Sequence, residues 1–228
     1  MMSDEFEEMY KKAGGKDAAK FTVITNGFDE GDISKEAVAK DKKFSIAHIG
    51  TLVKDRNPTV LWKVLRELVN EDSEFEKQLD IKLVGKIDIH VKEQLESFGL
   101  TKYVNKIEYL SHDKVIVEQQ KSRVLLLLVN NTKNARGILT GKFFEYMAAN
   151  SPVLAIGPTD GDLSKIMNET GVGLISGFDD ATSLKKNIIG LFNGTNVTRN
   201  ETAIGQYSRR NLTKSLGEML NKLTLPQN

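Results

Sequence analysis

Short runs of Val, Leu and Ile, each closed by a small or polar residue, alternate along this chain with segments whose apolar positions fall three and four apart. The runs predict strands over 44–49, 81–84, 107–110, 124–129, 153–156 and 172–175. The other segments predict helices beginning near Asn57, Val91, Ser111, Thr140 or Gly141, Leu163 and Thr182, and a last one from Ile204. In that last run Tyr207, Leu212, Leu216, Met219, Leu220 and Leu223 mark one amphipathic face. Asn57 is expected to cap its helix, with Pro58 at the first position and Leu61, Val64, Leu65 and Leu68 as the buried stripe. The run from Val124 to Val129 is too short to cross a bilayer and suits a parallel strand buried on both faces. Each parallel neighbour needs a crossover, so the alternation predicts an α/β fold: a doubly wound, Rossmann-like parallel sheet of about six strands with helices on both faces.

Ahead of this unit lie an acidic helical segment from Ser3 to Lys12, a break at Gly14-Gly15, and a short strand from Phe21 to Ile24 running into the tight turn Asn26-Gly27-Phe28-Asp29. With 228 residues, 39% of them apolar, the chain can bury one large core or two small ones. Its 32 basic and 31 acidic residues leave a formal charge of +1, which argues against a broad field for nucleic acid or an acidic membrane. Cysteine is absent, which excludes disulfides and thiolate metal sites; His48, His90 and His112 lack metal-ligand spacing, so no metal site is expected. Met1 to Tyr10 has no apolar core of an export signal. Six Asn-x-Thr triplets, at Asn130, Asn168, Asn193, Asn196, Asn200 and Asn211, include one abutting a buried strand and read as chance triplets in a cytoplasmic protein.

The chemistry gathers in the stretch from Gly137 to Pro158, a small-residue loop, a helix and a buried strand. Such a loop leaves the carboxyl end of the preceding strand, where open α/β sheets bind ligands, and its free N–H groups suit an anion. Glu145 can accept two hydroxyl hydrogens there, or merely sit favourably near a helix N-terminus. Arg56 precedes a helix start at the same edge, where it can meet a phosphate or remain a solvated loop cation. Gly50 serves either a turn or a close backbone approach. Asp160 and Asp162 resemble a metal-binding pair, but a turn and a helix cap explain them better.

Lys142-Phe143-Phe144-Glu145-Tyr146-Met147-Ala148, followed by Pro152-Val153-Leu154-Ala155, resembles the donor-site signature of the retaining GT-B glycosyltransferases of family four. Val23-Ile24-Thr25-Asn26-Gly27-Phe28-Asp29 resembles the family's passage between its two domains, and Tyr207 to Leu212 its closing helix, which braces the first domain. The resemblance implies that Glu145 holds the ribose of a sugar nucleotide. It gives the diphosphate to the amides from Leu139 through Thr140 to Gly141, to Arg56 and to Lys142, with Gly50 allowing backbone approach. It puts backbone contacts to the base at Tyr109 to His112, with His112 bordering the pocket. Two positions depart from the family: Gly137 stands where a sugar-contacting glutamate is common, and Thr51 where an arginine is. Asn130, Asn131 or Asn134 are candidates to replace the former.

The implied protein is the donor-binding domain, residues 41–228, preceded in 1–40 by a remnant of the amino-terminal domain and the linker. It would take a sugar from UDP- or GDP-sugar to a glycan or lipid-linked acceptor without a cofactor. Lacking the amino-terminal domain, it would catalyse little. The resemblance also implies a cytoplasmic location, with the inner face of the membrane as an option for the intact enzyme. A sugar-nucleotide epimerase on the same fold and a non-catalytic nucleotide- or partner-binding module, the latter suggested by Gly137 and Thr51, remain the competing readings.

Overall fold

A computed structural model describes residues 3–12, 14, 22–32, 38–194 and 197–224. Six strands form one parallel sheet: β1 (Phe44–Ile49), β2 (Leu79–Val84), β3 (Val104–Ile107), β4 (Val124–Leu128), β5 (Val153–Ile156) and β6 (Gly173–Ser176), in the order β3-β2-β1-β4-β5-β6. One face carries α2 (Thr59–Glu71), α3 (Ser73–Gln78), α4 (Ile89–Ser97) and α8 (Ala181–Phe192). The other carries α5 (His112–Lys121), α6 (Gly141–Ala148), α7 (Asp162–Thr170) and α9 (Glu201–Gln206). The expected doubly wound fold is therefore present. Along β1, Phe44 and Ile46 face the first layer and Ala47 and Ile49 the second, as the period of two requires.

Two further helices flank this unit: α1 (Ser3–Lys12), where the sequence places it, and α10 (Arg209–Thr224). Among the described residues no helix is long and apolar enough to cross a membrane.

Several local expectations are corrected. Asn57 does not cap α2; Pro58 holds the cap position, and the Asn57 side-chain oxygen Oδ1 accepts the Trp62 indole N–H at 2.7 Å. Asp162 is the first residue of α7 and Gly161 its cap, while Asp160 pairs with Arg136 at 2.7 Å. The unanticipated α3 exists because Asp72 accepts the amides of Glu74 and Phe75, which drives Phe75 into the core. β3 lies earlier than expected because it is a half-exposed edge strand with a weak apolar pattern.

The carboxyl-terminal helix is two helices, with Ser208 at the break. There Phe28 donates its amide to Tyr207 and accepts that of Arg209. Among the described residues the expected early strand is not found: Phe21 and Gly15 lie outside them, and 22–27 join no sheet.

Strand order reverses between β1 and β4, and there the ladder is short. Pairing covers Ile46–Ala47 with Val124–Leu125 and then stops. Above that point the Ile49 amide donates to the Tyr146 hydroxyl at 3.1 Å and His48 Nδ1–H donates to the Leu126 carbonyl at 3.3 Å. The two strands part toward their carboxyl ends, and side chains bridge the gap.

Candidate functional site

The reversal point of such a sheet is where ligands enter, and the sequence-predicted residues stand around it. Gly50, directly after β1, has φ +120°, a backbone that residues with a Cβ rarely adopt. The Lys142 ammonium lies 2.7 Å from where a Gly50 Cβ would be, so the absent side chain is the space the lysine occupies. Lys142 projects from the first turn of α6. Burial is the main cause that lowers its pKa to about 8, the Arg56 cation lowers it further, and Glu145 opposes both. Lys142 therefore feels both partners at once, with Arg56 on the loop after β1 and Glu145 one turn along α6.

Glu145 is exposed and accepts a long contact from the Gln119 side-chain amide, 3.5 Å away. It lines an open cleft of about 600 Å³ together with Gly141, His112, the 24–29 segment and α10. Gly141 is exposed, with no heavy atom within 4 Å of its Cβ position, so the start of α6 is open. Thr140 occupies the cap position but its hydroxyl makes no cap bond. Arg56 ends a short 3₁₀ turn and lines a cleft of about 220 Å³ with Asn131, Leu128 and Ile156. Of the three candidate asparagines, only Asn131 reaches that cleft; Asn134 accepts from the Thr132 hydroxyl instead. Gly137 is buried in the 3₁₀ turn before α6.

Several unpaired polar atoms stand near this rim. Thr25 Oγ1, His48 Nε2, Arg56 Nε and Thr140 Oγ1 are buried without a hydrogen-bond partner, as are Gln120 Oε1 and Arg199 Nη1 away from it. Each such group costs about 1–3 kcal/mol, which a ligand offering the complementary group relieves. Thr25 and Arg56 line the clefts just described, and Thr140 opens α6.

Two contributors escaped the sequence reading. His48 is buried on β1, two residues before Gly50 and on the same face, and its pKa falls to about 3, first through burial and then through the Lys142 charge. It is a neutral ring whose Nδ1–H joins β1 to β4. Tyr146 is fully buried beneath Glu145 and pins α6 to the end of β1; burial pushes its hydroxyl pKa up. A histidine near the end of a mostly apolar strand was the available signal for His48. Tyr146 looked like core, which it also is.

A second cavity, of about 540 Å³, opens at the opposite, amino-terminal edge of the sheet between Lys40, Arg123 and Arg199. Those cations are engaged by the protein itself: Lys40 with the Ser151 hydroxyl, Arg123 with the Asp41 carbonyl, and Arg199 with Glu201 and the Met147 carbonyl.

No family model and no curated protein matches this sequence. Solved structures do match the fold. A glycosyltransferase from Rickettsia africae superposes with a TM-score of 0.71 at 16% identity, over 98% of this chain and 68% of its own. The Anabaena HepE structure in complex with UDP gives 0.69 at 19% identity, over 96% of this chain and 62% of that one. The lipopolysaccharide outer core galactosyltransferase WaaB gives 0.70 at 14%, over 96% and 60%. The chain thus spans about three fifths of the HepE and WaaB chains. At these identities the likeness establishes architecture: the Rossmann-like sheet described above is that of the GT-B glycosyltransferases.

Proposed function

We propose that this chain is the donor-binding domain of a retaining glycosyltransferase of family four. The observation that carries the reading is the row Glu145, Lys142 and Arg56 along the rim where β1 and β4 part, with the open start of α6 beside it. Glu145 accepts the ribose hydroxyls of a UDP- or GDP-sugar. Lys142, Arg56 and the amides from Leu139 to Gly141 face the diphosphate. As the bond to the sugar breaks, negative charge grows on the departing diphosphate, and two fixed cations with a helix start stabilise it without a metal ion. Residues 1–40 belong to the linker and the edge of an amino-terminal domain that supplies the contacts to a glycan or lipid-linked acceptor. The chain alone binds nucleotide weakly and transfers little, and the intact enzyme works in the cytoplasm or at the inner membrane face.

Calorimetric titration of UDP and GDP into the chain tests this. One of them binds, and Glu145→Ala weakens it by about 1–3 kcal/mol, the loss of a charged acceptor. Because Glu145 is exposed, the variant should unfold at the same denaturant midpoint. Absence of heat with either nucleotide at millimolar concentration favours a non-catalytic module instead. Epimerised sugar on incubation of donor with the intact protein would favour the epimerase reading.

A further inference from the structure

We propose that the cavity at the amino-terminal edge of the sheet binds a phosphate-bearing molecule, a phosphate monoester or a diphosphate, held by Lys40, Arg123 and Arg199. Phe44 opens β1, and Arg123, Pro152 and Val172 each stand directly before a strand, so this cavity of about 540 Å³ lies a strand length from Gly50 and the start of α6. For a strand of six residues that is about 20 Å. The cavity is no part of the donor site, and the proposal stands whether or not that reading holds.

A chain with a formal charge of +1 gathers four cations here, Lys40, Lys42, Arg123 and Arg199, against one carboxylate among the described lining residues, Glu74. Glu74 already pairs with Lys77 and accepts from Gln78. The hydrogen bonds of the cations hold them in place without cancelling their charge. Lys40 donates to the Ser151 hydroxyl and to the Ser122 and Asn150 carbonyls, and Arg123 Nε donates to the Asp41 carbonyl, all uncharged acceptors. The Asp41 carboxylate itself is spent on Lys82. Arg199 places Nε on the exposed Glu201 and Nη2 on the Met147 carbonyl, while its Nη1 is buried with no hydrogen-bond partner. Burial and then the Arg123 charge lower the Lys40 pKa, Asp41 offsets a part, and Arg199 lowers it further. Lys40 thus feels the neighbouring guanidinium more strongly than the nearest carboxylate. One negative charge would leave much of this repulsion in place. A phosphate monoester brings nearly two charges and three strong acceptor oxygens, which matches three converging cations. Phe44 and Phe192, edge to face at 5.2 Å, form part of the apolar wall, where a cation–phosphate pair is stronger than in open water.

The test follows amide NMR signals of the isotope-labelled 228-residue chain during titration with inorganic phosphate and with pyrophosphate. Signals of Arg123, Val172 and Gly194 are expected to move, and those of Gly50 and Gly141 report the donor edge separately. Arg123→Gln should weaken phosphate at the amino-terminal edge roughly tenfold or more, the loss of a charged hydrogen bond, and leave UDP and GDP affinity within about twofold because the sites are far apart. Lys42→Gln, at an exposed cation of the same cavity, should weaken it about two- to fivefold and guards against a folding defect in the first variant. Vesicles of phosphatidylcholine with and without phosphatidic acid separate the two sources of such a phosphate. Sedimentation with phosphatidic acid alone, reduced in Arg123→Gln, assigns it to a lipid headgroup; NMR shifts without sedimentation assign it to a soluble molecule. Unmoved Arg123, Val172 and Gly194 signals at millimolar phosphate and pyrophosphate, or shifts undiminished in both variants, overturn the site. If these signals move while neither UDP nor GDP binds, the donor-site reading fails and this one stands.

Discussion

Replacing Lys82 by methionine is expected to cost the fold about 3–5 kcal/mol, the usual penalty for removing one partner of a buried ion pair. The Lys82 ammonium lies 2.6 Å from Asp41 and also bonds Glu118, and the three side chains are 5%, 15% and 11% exposed. Ser45 donates to Asp41, and Lys121 reaches Glu118 from the helix surface. Burial alone would pull the Lys82 pKa down, but hydrogen bonds to Asp41 and Glu118 outweigh it and raise the value. A base whose folded pKa is raised contributes stability fully below its unfolded value, lost as pH rises through the folded one. At neutral pH that contribution is therefore complete. In Lys82→Met two carboxylates face each other with no central cation, so the deficit should shrink as pH falls and one takes up a proton. Adding Glu118→Gln should restore part of the loss at pH 7. The check is a shift of the denaturant midpoint at constant slope; an unchanged midpoint would mean the network is as weak as a surface pair. The network ties α5 to β2 and to the start of β1, and α5 begins at His112 in the cleft. Its loss should therefore also loosen one wall of the nucleotide site.

That network shows what the sequence could and could not reveal. Strand β1 was legible to the residue because Phe44 to Ile49 is mostly apolar and Gly50 stops it; β5, apolar throughout and followed by Gly157, was legible in the same way. Lys82 was hidden because a lysine inside a strand looks like a solvent-facing position unless its carboxylate partners, 41 and 36 residues away in sequence, are known to meet it. The break between α9 and α10 was hidden in the same way. The apolar period runs on through Tyr207, and only the distant Phe28 backbone, bonding at the break, decides that the helix stops. At the candidate site the resemblance singled out the charged residues, and residue type alone left a dipole or solvated-loop role open for Glu145 and Arg56. Their order along the rim was not legible, since nothing local says that Lys142 crosses the end of β1 to lie over Gly50. His48 was passed over because its role depends on where β1 and β4 cease to pair.

Lys142→Met should stabilise the fold and disable the site together. In the native chain, burial and the neighbouring Arg56 lower the lysine from its ordinary 10.5 to about 8. Between those two values the unfolded chain holds a proton that the folded chain has released, so stability rises with pH across that window, and below pH 8 the full penalty is present. A shift of this size corresponds to a penalty on the order of 1–3 kcal/mol once partial solvent access is allowed for. Methionine fills similar volume without the charge and should recover it at pH 7, with the pH 8 to 10.5 rise in stability much reduced. Nucleotide binding should move the opposite way, weakening roughly ten- to hundredfold because a charge-assisted hydrogen bond to phosphate is gone. The same protonation predicts a pH profile for the native chain. The cationic form falls from mostly populated at pH 7 to a small minority at pH 9, so diphosphate affinity should drop about tenfold over that span, while Arg56 remains charged. In Lys142→Met the profile should be flat. A variant no more stable than the native chain, binding nucleotide as well and with the same pH dependence, would show that the ammonium over Gly50 neither burdens the fold nor meets the ligand. A residue that costs stability and is kept at a cleft rim is what a binding site looks like when its energy is spent on the ligand.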